Sequence, residues 1–374
     1  MVRRVTVTRE HVLAYRGNVH DLMRPGSGAA VLDVGLQDHP PGRTALPALR
    51  LRTGNTAAGE GTALVHGVRG AMHLHRTADL ALLSAALRHR DPRELAPATL
   101  GPFGAELSRA GVGLGDAMDE VAAAMTEAMS DGVARAKGEL SGAVSDRVDR
   151  RLTPWCEGCG THHVQDALFR YATLQAGLVV EVASPRLLRY RRAVTPGARP
   201  DPEEAQAVLL RRFLRAMGPA TAEDLAAWLG TTPAAARRWW RHAAADLVWV
   251  SVDGSTRQVH RDDLDLLTAP PSPPPPRLLT AYDPLTELAD RRFLVPDAPH
   301  RRRVWRSVAN PGVVLLDGEI SGIWRQRTIR GELTITVTPF RTIGADQLDA
   351  LERDAGAIAE HAGADRYTVV ATPG

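Results

Sequence analysis

The segment TAPPSPPPP at residues 268–276 sets the tightest limit on how this chain can fold. Proline has no amide hydrogen and a fixed φ, so neither a helix nor a sheet ladder can run through such a stretch. It is expected to form a stiff polyproline linker at 268–276 and a firm boundary. At 374 residues the chain exceeds what a single core usually organises, so two to four modules are expected around that boundary.

Local rules are clearest just before the prolines. Residues 202–217 show a helical pattern; Thr221 caps 222–229; Gly230-Thr231-Thr232 makes a turn; and Pro233 opens a second helix that runs to 244. Residues 247–252 and 256–260 flank Asp253-Gly254, a two-residue hairpin turn. Helix, turn, helix, hairpin is the order of a winged helix, assigned to 199–267. The second helix carries Arg237, Arg238, Trp239, Trp240 and Arg241. Adjacent tryptophans must bury at least one ring, which favours a scaffold role over insertion into a DNA groove.

Upstream, residues 8–22 read as a helix and 62–75 as a short apolar run followed by Arg-Gly-x-x-His. Residues 116–129 and 140–150 form a helical pair, 164–176 a further helix, 178–182 a strand and 186–192 a basic wing. These divide into a first module at 1–90 and a second at 91–198. Cys156 and Cys159 sit in one CxxC followed by His162-His163, which invites a zinc reading. A structural site normally has two ligand pairs a dozen or more residues apart. Packing of buried thiols is therefore the favoured expectation, with no metal and no cofactor. Beyond the prolines, 277–374 is β-rich, with strands at 313–316, 320–325, 333–339 and 366–371 and one helix at 345–362.

The chemistry points to VLDVGLQDHPPGRTALPALRLR at 31–52. Its apolar start, 31–36, is read as an extended run delivering Gln37, Asp38 and His39 to a proline bend, ahead of a helix from 44 to 51. Side chains alternate in an extended segment, so Gln37 and His39 share a face and Asp38 points away. A carboxamide and an imidazole on one face can hold a single water between them.

GLQDHPP resembles the signature of the AlkZ-like/YcaQ-like DNA glycosylases, winged-helix proteins that excise N7-alkylated guanines. In that family a Gln, a hydrophobic residue and then Gln or Asp precede the proline. Here Gln37 matches, the second catalytic position is His39, and the middle residue is acidic. Arg69 and His73 resemble the family's Arg-Gly-Thr-Leu-His-Leu wing, although His73, between Met72 and Leu74, reads equally well as a core histidine. YDPL at 282–285 and PGVVLLDGEISGIWR at 311–325 resemble its C-terminal domain. The resemblance implies an α+β fold, with three tandem winged helices followed by a C-terminal β-barrel-like domain.

What the resemblance implies for function is a monofunctional glycosylase. A cationic base is already a good leaving group, so the protein must stabilise an oxocarbenium-like sugar and place a water. Gln37 would orient that water and His39 act as general base, with Asp38 anchoring the His39 tautomer, stabilising the cation or facing solvent. Lys137 is the only lysine, leaving little amine chemistry for strand cleavage. Positive charge is otherwise arginine, with a formal net charge of +3. Arg69, His73, Arg189, Arg191, Arg301, Arg302 and Arg303 are the expected contacts to double-stranded DNA carrying alkylated purines. Expected as well are a monomer, a cytoplasmic, nucleoid-associated location with no membrane association, and a role in self-resistance to a DNA-alkylating antibiotic. The rival reading is a non-catalytic winged-helix regulator.

Overall fold

The computed structural model describes residues 5–23, 25–26, 28–54, 59–184, 186–193 and 198–372; the ends of the first and last expected modules, 1–4 and 373–374, lie outside them. The fold is mixed α+β. Its centre is the helix Pro202–Met217, N-capped by Asp201, which packs against Arg9–Val19, Ala29–Val34, Leu80–Ala86 and Pro233–His242. Leu209, Leu210, Phe213 and Leu214 are fully buried along it, together with Tyr15, Trp228 and Val250. Trp239 and Trp240 are buried too, while Arg237 and Arg238 pair with Glu223 and Glu94 on the outer face.

Strands tie distant parts of the chain together. Val5–Val7 pairs in parallel with Leu247–Val252 of the hairpin at 247–260, adding an N-terminal strand to the module expected at 199–267. A six-stranded sheet runs Leu36–Gln37, Met72–Arg76, Thr62–His66, Leu178–Ser184, Leu187–Arg192, Arg135–Ala136. Leu64 opposite Val180 joins the hairpin at 62–76 to that at 178–192 in one sheet.

Three expectations need correction. Residues 29–34 are helical rather than extended, because Ala29–Val34 buries Val31, Leu32 and Val34 against the helix at 202–217 and the strand at 72–76. Only Leu36–Gln37 is strand, after a break at Gly35, whose φ of 87° falls where glycine is favoured. The C-terminal sheet is not barrel-like. Its order is Arg277–Leu279, Gly312–Leu316, Glu319–Ile329, Glu332–Pro339, Arg366–Ala371, and its two outer strands do not pair. The last two strands run parallel, so the connection between them must cross one face, and helix Ala345–His361 covers that face instead of letting the edges close. The cysteine thiols are not core either: Cys156 is half-buried and Cys159 exposed.

The proline segment lies along the protein. A Cβ at Gly17 would come within 2.8 Å of Pro274, so glycine in the helix Arg9–Val19 leaves the groove that seats it. Immediately afterwards Arg277 is buried, bonding the Leu22 and Leu51 carbonyls and pairing with Asp354 at 3.0 Å. A second buried pair, Arg52 with Asp283 at 2.8 Å and both 0% exposed, fixes the helix Ala45–Thr53 to the start of the C-terminal region. These two pairs bring 282–291 against the Gln37 segment.

Candidate active-site cleft

Gln37 ends its two-residue strand beside His73 of the neighbouring strand and faces an open cleft of about 520 Å³. Arg69, Tyr282, Glu287, Arg291, Trp305 and Asn310 line the same cleft. Arg69 holds the site together, donating to Gln37 Oε1 at 3.1 Å, to Glu287 Oε2 at 2.9 Å and to the Trp228 carbonyl. Its backbone is left-handed, at φ 59° and ψ 14°, and Tyr282 across the cleft has φ 60°. Non-glycine residues held there cost of order 1–3 kcal/mol each and cluster at functional sites. Room for the Arg69 side chain comes from Gly230, where a Cβ would sit 2.8 Å from Arg69 Cγ.

Glu287 does not stand out in the sequence, yet it is the most unusual group in the cleft. Its side chain is 5% exposed. Burial alone would push its carboxyl up, but the Arg69 guanidinium and the His73 imidazole outweigh burial and hold it below the usual carboxylate range. Glu287 is therefore a buried anion beside Gln37. Among the described residues its Oε1 has no hydrogen-bond partner, and neither does His73 Nε2, 3.8 Å away. Sequence could have flagged it only by position: it follows the YDPL segment by two residues, on the short turn that Asp283 caps through Leu285 N.

The QDH triplet separates by role. Gln37 lines the cleft with Tyr282, and His39 is exposed and meets the Tyr282 ring edge-on at 5.3 Å. Asp38 is turned the other way and buried at 3% exposure. Its carboxylate accepts from the backbone N–H groups of Gly42, Arg43, Thr44 and Ala45, capping the turn and the N-terminus of the helix Ala45–Thr53. None of the three roles that the sequence leaves open to Asp38 fits this geometry: at 3% exposure it does not face solvent, and its oxygens serve the backbone of the turn rather than His39 or the cleft.

The expected DNA contacts are likewise sorted by geometry. His73 is 0% exposed, with Nδ1 on the Ala71 carbonyl, so it cannot reach a phosphate. Arg69 belongs to the cleft. Arg191 pairs with Glu181 across the sheet, Arg301 donates to the Val295 and Pro296 carbonyls, and Arg303 stacks over Phe340 at 5.2 Å. Arg189 and Arg302 are exposed. Arg291, which the sequence does not single out, lies over the Trp305 ring at 5.4 Å on the cleft wall. Lys137, paired with Asp166 at 2.5 Å, is not among the residues that line the cleft.

The chain is similar to known proteins along most of its length. Residues 31–361 match the family model described as DNA glycosylase AlkZ-like. An interstrand DNA cross-link repair glycosylase of Streptomyces sahachiroi is 31% identical over 183 residues, 46% of this chain and 47% of that protein, so the match spans about half of the curated relative. The solved structure of the Streptomyces sahachiroi DNA glycosylase AlkZ has the same fold, with a TM-score of 0.73 and 22% identity over 98% of this chain and 100% of that one. This chain belongs to the AlkZ-like family of DNA glycosylases.

Proposed function

We propose that the protein is a monofunctional DNA glycosylase that hydrolyses the N-glycosidic bond of bulky N7-alkylguanine, or N3-alkyladenine, in double-stranded DNA. The observation that carries this reading is Gln37, held at 3.1 Å by Arg69 in an open cleft beside the buried Glu287 carboxylate. With Oε1 fixed by Arg69, the Gln37 amide N–H is free to donate to a water oxygen, and the second Oε1 lone pair can accept from the same water. As the C1′–N9 bond breaks, its electron pair leaves with the base and neutralises the positive charge there. The sugar becomes cationic, and the Glu287 carboxylate, fixed and itself buried in the wall of the cleft, is an anion that water screens little and that stabilises the developing charge. Water then adds to C1′ and releases its proton to His39 at the cleft mouth.

The remaining expectations fit this chemistry. The cleft is open rather than a closed slot, which suits a bulky adduct. The single lysine lies elsewhere, which supports base release without strand cleavage. The hairpins at 62–76, 178–192 and 247–260 read as wings of three winged helices, with Arg189 and Arg302 placed for phosphate contact. The curated relative is named an interstrand DNA cross-link repair glycosylase, which supports a bulky or cross-linked lesion as the substrate; self-resistance to a DNA-alkylating antibiotic is the role proposed with it. No helix among the described residues is long and apolar enough to cross a membrane.

The test is release of modified base from duplexes carrying methyl or bulky N7-guanine adducts, scored for abasic sites without a nick. The proposal requires release that His39→Ala slows while DNA binding is retained. Binding without release from any adduct would indicate a non-catalytic DNA-binding protein instead.

A further inference from the structure

We infer that Cys156, Cys159 and His163 form a zinc site, separate from the Gln37 cleft. The three side chains lie on and beside a short hairpin in which Trp155 pairs with His162 and Cys156 with Thr161. Its turn is wound around the Cys156 carbonyl, which accepts from Cys159 N at 3.2 Å and Gly160 N at 2.8 Å. That winding turns both sulfurs toward His163. One ligating atom from each residue falls within 4.8 Å of the other two, close enough for a single ion to gather all three.

His163 supplies an independent sign of what belongs there. Its Nδ1 lies 2.7 Å from the Val164 carbonyl, so that nitrogen carries the hydrogen and donates it. Nε2 is then left with a lone pair, and it is buried with no hydrogen-bond partner among the described residues. An imidazole that donates one N–H to a backbone carbonyl and offers the other nitrogen unpaired is the usual second-sphere arrangement of a zinc ligand. The neighbouring His162 differs: its Nδ1 bonds the Thr153 carbonyl at 2.9 Å and it is exposed.

Packing does not account for the hairpin. Each strand is two residues long, Trp155 is 56% exposed, and Cys159 and His162 are exposed. Such a hairpin is marginal in water without a further constraint. Two thiolates and one imidazole on Zn²⁺ give a neutral, soft-donor set at ordinary bond lengths of about 2.0–2.3 Å, with solvent completing the tetrahedron. The ion would lock the hairpin against the helix Lys137–Ser145, to which Ser145 Oγ already ties it through Val164 N at 3.0 Å.

The experiment uses the full chain, reduced and then equilibrated with Zn²⁺ and desalted. One equivalent of zinc per chain is expected, falling to none in Cys156→Ser, Cys159→Ser and His163→Gln and remaining at one in His162→Ala. Co²⁺ bound to the wild type should show thiolate-to-metal charge transfer, a readout that needs no variant to fold. Less than stoichiometric zinc on the reduced wild type, Co²⁺ spectra without the thiolate band, or equal loss in His162→Ala would each overturn the assignment.

Discussion

Replacing Asp38 separates a structural carboxylate from a reacting one. In Asp38→Ala four backbone N–H groups lose their acceptor, and two of them, on Thr44 and Ala45, are buried. An orphaned buried donor costs about 1–3 kcal/mol, so the two together cost about 4 kcal/mol. An unfolding entropy of about 2.1 cal/mol/K per residue amounts to about 0.8 kcal/mol/K over 374 residues. The melting temperature should therefore fall by about 5 °C, and by about half as much in Asp38→Asn, whose amide oxygen keeps part of the cap. Single-turnover base release, measured well below both transitions, should stay within a few fold of wild type. An unchanged melting temperature with base release abolished would refute the reasoning and place the carboxylate in the chemistry.

Other consequences follow from the same geometry. His20, His66 and His89 are pushed down to about 4 and His75 to about 3, in each case mainly by burial, so these imidazoles stay neutral in the folded chain. The unfolded chain takes up those protons near the ordinary value of 6.5, so stability is intact above that pH and declines as pH falls toward about 4. The slope should approach about 1.4 kcal/mol per pH unit for each imidazole, and a flat urea-denaturation profile between those limits would contradict it. Glu287→Gln should lower the rate of base release by ~10²–10³ without weakening DNA binding, by analogy with the loss of one preorganised electrostatic group. An unchanged single-turnover rate would remove Glu287 from the mechanism. Arg189→Ala and Arg302→Ala should each reduce the slope of log binding constant against log salt by about 0.9; Arg303→Ala, stacked on Phe340, should leave it unchanged.

Much of the fold is legible where local rules act alone. The helices Pro202–Met217 and Ala222–Leu229 begin and end where their caps and prolines place them, and the hairpin at Asp253-Gly254 follows its turn residues. Tertiary burial hides the rest. An apolar run at 31–36 cannot be told from a buried helix by periodicity, and packing against the helix at 202–217 decides for helix over Ala29–Val34. Pairing of Val5–Val7 with Leu247–Val252 depends on contacts between opposite parts of the chain and leaves no local trace.

In the proposed site, a proline bend and an unusual polar triplet draw attention to Gln37, which lines the cleft, and to His39, which is exposed beside Tyr282 but is not among the lining residues. Glu287 draws none, since an isolated glutamate after a turn looks like surface. The buried Arg52–Asp283 and Arg277–Asp354 pairs, which join distant parts of the chain, bring it under Arg69. The arginines show the opposite failure: a run such as Arg301-Arg302-Arg303 reads as a phosphate-binding stripe until its hydrogen bonds are seen. Carbonyls and an aromatic ring engage two of the three.

Gln37 is the residue on which the proposed chemistry turns. Single-turnover release of a bulky N7-alkylguanine from duplex DNA should occur with the wild-type chain and fall by ~10² or more in Gln37→Ala, with melting temperature and DNA affinity preserved. Equal release rates from the two proteins would contradict it.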